Sequence, residues 1–220
     1  MKLSKIGLAG VFTSLTLIFT TVSFSVWADD ASLLPPQKVI QDTSKQLQTT
    51  LQRPEYKNNF PKAVQFVEGV IDPHVDFDRV AMLILGKYWK VATPEQKLSF
   101  KKEFRTLLVR TYTTAFTEYS DWTIRYSPLD IEDGAKRIEV KTEILRRDGN
   151  PVRVGYRMEN TNNDWKVYDI LIEGISLVQN YRTSFTGDIE RYGSLDRLIG
   201  VLDQRNAEAA TGQASSVNPS

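Results

Sequence analysis

The run from Trp165 to Phe185, WKVYDILIEGISLVQNYRTSF, constrains the fold more than any other stretch of the chain. An apolar strand breaks at Gly174 and turns directly into a helix carrying Leu177, Val178, Tyr181 and Phe185 at three-to-four-residue spacing. A strand with apolar residues on both faces needs cover on both. The helix that leaves it supplies one cover, so other material must fill the remaining side.

The strands before it follow the same logic. Trp122, Ile124 and Tyr126 alternate with Thr123 and Arg125. Ile138, Val140, Thr142 and Ile144 alternate with Arg137, Glu139, Lys141 and Glu143. After a hairpin at Asp148-Gly149-Asn150, Val152, Val154, Tyr156 and Met158 alternate with Arg153, Gly155 and Arg157, and the turn Asn160 to Asn163 leads into Trp165. Short connections make this a four-stranded antiparallel meander. Its charged face reads as a solvated surface of cross-strand pairs, with Arg153 and Arg157 available to Glu139 and Glu143.

Helices occupy the first half. Pro35 and Pro36 start one that presents Val39, Ile40, Leu47 and Leu51 and ends at Pro54. Asn59 caps a second, with Val64, Val67 and Ile71 inward, and Asp72-Pro73 stops it. Asp76 caps a third from Phe77 to Leu85, apolar almost all round and closed by Gly86, so it is expected between layers. The longest starts at Thr93-Pro94 with Gln96 completing a capping box, and Phe100, Phe104, Leu107, Leu108, Thr111, Ala115 and Tyr119 keep helical register. Tyr112 and Phe116 widen its stripe beyond what one packed neighbour requires. After Gly193-Ser194, a last amphipathic helix carries Leu195, Leu198, Ile199 and Leu202, and from Asn206 the composition is that of a disordered tail.

At the other end, Lys2 and Lys5 precede an uncharged run from Ile6 to Ala28 that closes on Val26-Trp27-Ala28. This reads as a secretory signal peptide cut after Ala28; a retained membrane anchor is the alternative. The expected organisation is a signal peptide over 1–28, one domain over 29–205 and a tail over 206–220. Within the domain, a helical part covers about 35–120, and the sheet with its helices about 121–205. Basic and acidic residues number 28 and 27, so no bulk field points to nucleic acid. The absence of cysteine removes disulfides and thiolate chemistry, and the lone His74, expected in a surface loop, cannot build a histidine-rich metal site.

Four ordered segments carry a family resemblance. They are Asp76-Phe77 leading to Gly86-Lys87-Tyr88-Trp89-Lys90, then Thr93-Pro94-Glu95-Gln96 with Phe100 and Phe104, then Val154-Gly155-Tyr156-Arg157, and finally Trp165 to Asp169 continuing through Glu173-Gly174-Ile175-Ser176 to Arg182. From about Pro36 to Leu202 the chain resembles the MlaC or toluene-tolerance family, the phospholipid-binding components of the Mla lipid-transport system. The resemblance implies an α+β fold with a curved, NTF2-like antiparallel sheet and a helical part enclosing an apolar cavity for acyl chains. It further implies an exported periplasmic carrier with no cofactor besides its phospholipid cargo, acting as a monomer. Such a carrier shuttles lipid between an outer-membrane lipoprotein–porin complex of the MlaA type and an inner-membrane ABC transporter with an MlaD-type subunit, maintaining outer-membrane lipid asymmetry.

On that reading the expected wall is Phe104, Leu108, Tyr112 and Phe116 on the long helix, Val154 and Tyr156 on the third strand, Ile170 and Ile172 on the fourth, and Val178, Tyr181 and Phe185 on the following helix. A pocket for two tails is expected toward or beyond the upper end of roughly 300–1,000 Å³. Arg157 and Arg182 are the basic residues within the matched segments, suited to a headgroup phosphate, a partner or a structural ion pair. Tyr88 and Trp89 are either a plug between the helices and the sheet or the rim of the lipid entrance. Two other classes compete: an exported NTF2-like enzyme using Asp169 beside Tyr168, and an adaptor with no ligand. Asp169 shows no partner in sequence that would make it a base, so it reads as a structural hydrogen-bond acceptor.

Overall fold

The computed structural model describes residues 33–118, 121–147, 149–162 and 164–210. The expected signal peptide lies outside them, as do Asp148 and Asn163 of the two expected turns. Helices α1 (Pro35–Leu51), α2 (Pro54–Lys57) and α3 (Phe60–Ile71) are followed by a 3-10 turn at Asp72–His74, then α4 (Phe77–Leu85), α5 (Lys87–Val91) and the long α6 (Pro94–Glu118). Strands β1 (Trp122–Tyr126), β2 (Arg137–Arg146), β3 (Val152–Thr161), β4 (Asp164–Ile172) and β5 (Ile175–Ser176) lead to α7 (Leu177–Tyr192) and α8 (Leu195–Ala210). The sheet is a curved antiparallel meander in chain order. No described helix is long and apolar enough to cross a membrane.

The helix starts are set by side chains that satisfy the first free N–H groups. Asn59 accepts from the Lys62 N–H, Asp76 from Arg79 and Ser176 from Gln179. Thr93 and Gln96 bond each other's backbone N–H, completing the expected capping box. Pro54 does not merely end α1; its fixed φ opens the single turn of α2.

The sheet has five strands rather than four. Glu173 and Gly174, at φ 50° and 82°, form a tight turn that folds Ile175 back onto Ile172 before α7 begins. The two-sided look of the last long strand has a local cause. Arg157 opposes Asp169 while Met158 opposes Val167, which leaves Tyr168 as the extra residue of a β-bulge. The bulge switches faces, so Val167, Ile170 and Ile172 all share the side of Met158, Tyr156 and Val154. Apparent two-sidedness is thus largely a one-sided strand with a phase slip.

Three apolar clusters of buried side chains form, and Val75 packs against both the first and the second. One joins α4, α6, α7 and α8 through Phe100, Phe104, Phe185, Ile189, Leu198 and Leu202. A second joins the start of α1 to the sheet through Ile40, Tyr126, Val140, Met158 and Val167. The third joins α1, α3 and α6 through Leu47, Leu51, Val67 and Val109. Helix α1 is stitched along β1 at both ends: Gln37 donates to the Ser127 carbonyl at 3.0 Å and Gln48 to the Trp122 carbonyl at 2.7 Å. The two spans match, since eleven helical and five extended residues each cover about 16 Å.

Three expectations change. Helix α4 is not enclosed all round, because Met82 is 40% exposed while Val80, Ala81, Ile84 and Leu85 are buried. On α6 the inward face drifts after Leu108 to Val109 and Thr113, and Thr111 is exposed. The composition change at Asn206 does not end order, because α8 runs to Ala210 and buried Asn206 donates to the backbone and side chain of Glu103.

Candidate functional site: an apolar cavity between three cores

Between the three clusters a cavity of about 390 Å³ remains. Its wall takes residues from each: Phe104, Val80 and Ile84 from the first, Ile40 and Val167 from the second, Leu47, Val67 and Val109 from the third. The volume sits near the lower end of the range for ligand sites, not the upper end that two tails suggested. Helix α1 contributes Ile40, which packs on the sheet, and Leu47, which packs on α3 and α6, to the wall.

Ten of the eleven expected wall residues are on the cavity: Phe104, Leu108, Tyr112, Phe116, Val154, Tyr156, Ile170, Ile172, Val178 and Tyr181. Phe185 is not. It is 4% exposed and packed edge-on to Phe100 and Phe104, because it lies one helical turn beyond Tyr181, inside the four-helix core. Sequence reasoning missed the whole contribution of α1, α3 and the segment to α4, including Val39, Thr43, Ile71 and Phe77. Their signal was present in the apolar stripe of α1, but nothing local says which surface that stripe covers.

The polar groups of the wall are few and mostly occupied. Burial pushes the phenols of Tyr112 and Tyr156 up to about 12; the Tyr181 phenol adds to the first, and a hydrogen bond with Thr142 partly offsets the second. Desolvation also raises Tyr181. Tyr156 is half-buried, and it stands on the cavity wall. His74 is not a surface-loop residue: it lines the cavity, and its buried Nδ1 has no hydrogen-bond partner. Asp169 is 5% exposed and accepts from Arg157 at 3.1 Å, Ser176 at 2.7 Å and the Val178 N–H at 3.1 Å. Those bonds tie β4 to the start of α7, where the helix dipole favours a carboxylate.

The other expected contacts lie off the wall. Arg157 pairs with Asp169 and sits 3.7 Å from Glu139, while Arg153 pairs with Glu173 instead of its cross-strand Glu143. Arg182 packs its guanidinium against Gly86. Tyr88 and Trp89 are half-buried against the four-helix core, with the Tyr88 hydroxyl donating to Glu190 and Lys97 over the Trp89 ring, and neither stands on the wall of this cavity. Among the described residues no cluster of three metal-ligating side chains occurs.

The model of the MlaC protein family matches residues 41–204. The chain belongs to the MlaC family. Two characterised relatives agree. The toluene tolerance protein ttg2D of Pseudomonas putida is 31% identical over 168 residues, covering 74% of this chain and 78% of that protein. The intermembrane phospholipid transport system binding protein MlaC of Haemophilus influenzae is 26% identical over 201 residues, 88% of this chain and 91% of that one. The solved structure of a phospholipid-binding protein from Ralstonia solanacearum, in complex with a phospholipid, superposes with a TM-score of 0.73 at 32% identity, covering 80% of this chain and 98% of that one.

Proposed function

We propose that this protein is a periplasmic phospholipid carrier that holds acyl tails in the cavity between α1, α6, α7 and the sheet. The observation that carries the reading is that cavity: an almost wholly apolar space held open between three packed cores, in a chain whose fold is shared with a protein solved with phospholipid bound. A tail of about 15 methylenes resists transfer into water by roughly 12 kcal/mol at about 0.8 kcal/mol per methylene, so a soluble carrier has to shield it. The ten wall residues named above do that work, and Asp169 holds β4 to α7 so that the wall keeps its shape.

The carrier works after cleavage behind Ala28, and exchanges lipid with an MlaA-type outer-membrane complex and an inner-membrane transporter carrying an MlaD-type subunit, which supports outer-membrane lipid asymmetry. The pairing of Asp169 with Arg157, Ser176 and Val178 favours this over an enzyme that would use the same carboxylate as a base. Native mass spectrometry of protein purified from cells tests the reading. A bound mass of phospholipid size is expected; a chain that carries none, and takes none from vesicles, overturns it.

A further inference from the structure

Among the described residues on the cavity wall, Arg146 has the only lysine or arginine side chain. Arg146 closes β2 opposite Trp122, and alternation from Val140 through Thr142 and Ile144 puts it on the sheet face that looks into the cavity. It is exposed, whereas Tyr112, Phe116, Val152 and Ile172 on the same wall are half-buried. The guanidinium therefore stands where the greasy wall meets water. It packs beside Gly149, at φ 137°, with one nitrogen 3.3 Å from the place a Cβ would occupy, so glycine there leaves the head its room.

We infer that Arg146 binds the phosphodiester of the carried lipid at the lip of the cavity. A planar guanidinium offers parallel N–H donors that match two phosphate oxygens, and at the lip the charged head stays wet while the tails enter the dry wall. A single arginine reads the phosphate that glycerophospholipids share and not the alcohol beyond it. The protein then selects phosphorylated lipids over neutral diacylglycerols while tolerating different headgroups. This inference rests on the cavity being the lipid site.

The test compares the mature wild-type chain with Arg146→Ala, Arg146→Lys and an outer-face control, Lys141→Ala. Each is loaded with fluorescent-tailed phosphatidylglycerol or with diacylglycerol of the same tails, and release to phosphatidylcholine vesicles is timed. Wild type and Lys141→Ala should hold the phospholipid about ten-fold longer than the diacylglycerol, Arg146→Ala should bring the ratio within about two-fold, and Arg146→Lys should fall between. A ratio unchanged in Arg146→Ala overturns the inference, whereas wild-type protein that loads neither lipid overturns the carrier reading beneath it. A nitrogen-15 shift of Arg146 Nε on loading, in wild-type protein, gives the same answer without relying on the variants folding. The same shift produced by millimolar inorganic phosphate alone would assign the lip to free anions and overturn the lipid contact.

Discussion

The hydroxyl of Ser176 donates to the carboxylate of Asp169 at 2.7 Å, and the same Ser176 oxygen accepts the Gln179 N–H that opens α7. A buried acid on one strand thereby fixes where the next helix starts. Replacing Asp169 with Ala leaves the Val178 N–H and Arg157 without this partner, and should cost about 3 kcal/mol in chemical denaturation. Asp169→Asn, which keeps an acceptor, should lose less. Equal and negligible losses would show that α7 is positioned by its apolar face alone.

Ile170 and Phe185 were equivalent as apolar candidates in the sequence, and the structure separates them. Ile170 faces the cavity, so Ile170→Glu should fold with a modest loss of melting temperature and come out of cells without lipid in native mass spectrometry. Phe185 is core, so Phe185→Ala should lose about 3–5 kcal/mol while its folded fraction keeps lipid. The reverse pattern would move the wall.

Gly86 ends α4 at φ 51° and ψ −110°, with the Arg182 guanidinium 3.0 Å from where a Cβ would sit. The Arg182 side chain can swing away, but the backbone cannot relax without breaking the α4–α5 corner. Gly86→Ala should therefore cost about 1–3 kcal/mol, nearly all of it retained in a Gly86→Ala, Arg182→Ala double variant. If the double variant recovers stability, crowding and not backbone strain is the cause.

The tyrosines of the wall give an alkaline signature. Tyr112 and Tyr156 sit at about 12 in the folded chain against 10.0 in their ordinary range, so their neutral forms support folding fully below about pH 10. Between pH 10 and 12 the unfolded chain loses protons that the folded chain keeps, and stability falls through that window. Tyr156→Phe should flatten the decline between these limits, measured as denaturation midpoint against pH. An unchanged slope would mean the phenol is solvated in the fold.

Much of this was legible in the chain itself. Caps at Asn59, Asp76 and Thr93 are local chemistry: a side-chain oxygen reaches an N–H three residues on wherever the backbone turns into a helix. The alternation of β2 and β3 named their inward faces, although only Val154 and Tyr156 were expected on the wall, where Ile144, Arg146 and Val152 also stand. The slip at Tyr168 was not legible, because a bulge is defined by what stands opposite it. Phe185 failed for a related reason, since one more turn of α7 carries the stripe from the cavity into a four-helix core that periodicity cannot see.

The sequence by itself determined the longer helices, three of their caps, the four long strands and their antiparallel order, because each follows from residues within a turn or a strand of one another. Only the tertiary structure decided that α1 lies along β1, held at Ser127 and Trp122 by Gln37 and Gln48, and that a cavity is left between three cores. A cavity is the space that remains after distant segments have packed, and its volume and lip depend on contacts between residues far apart in the chain.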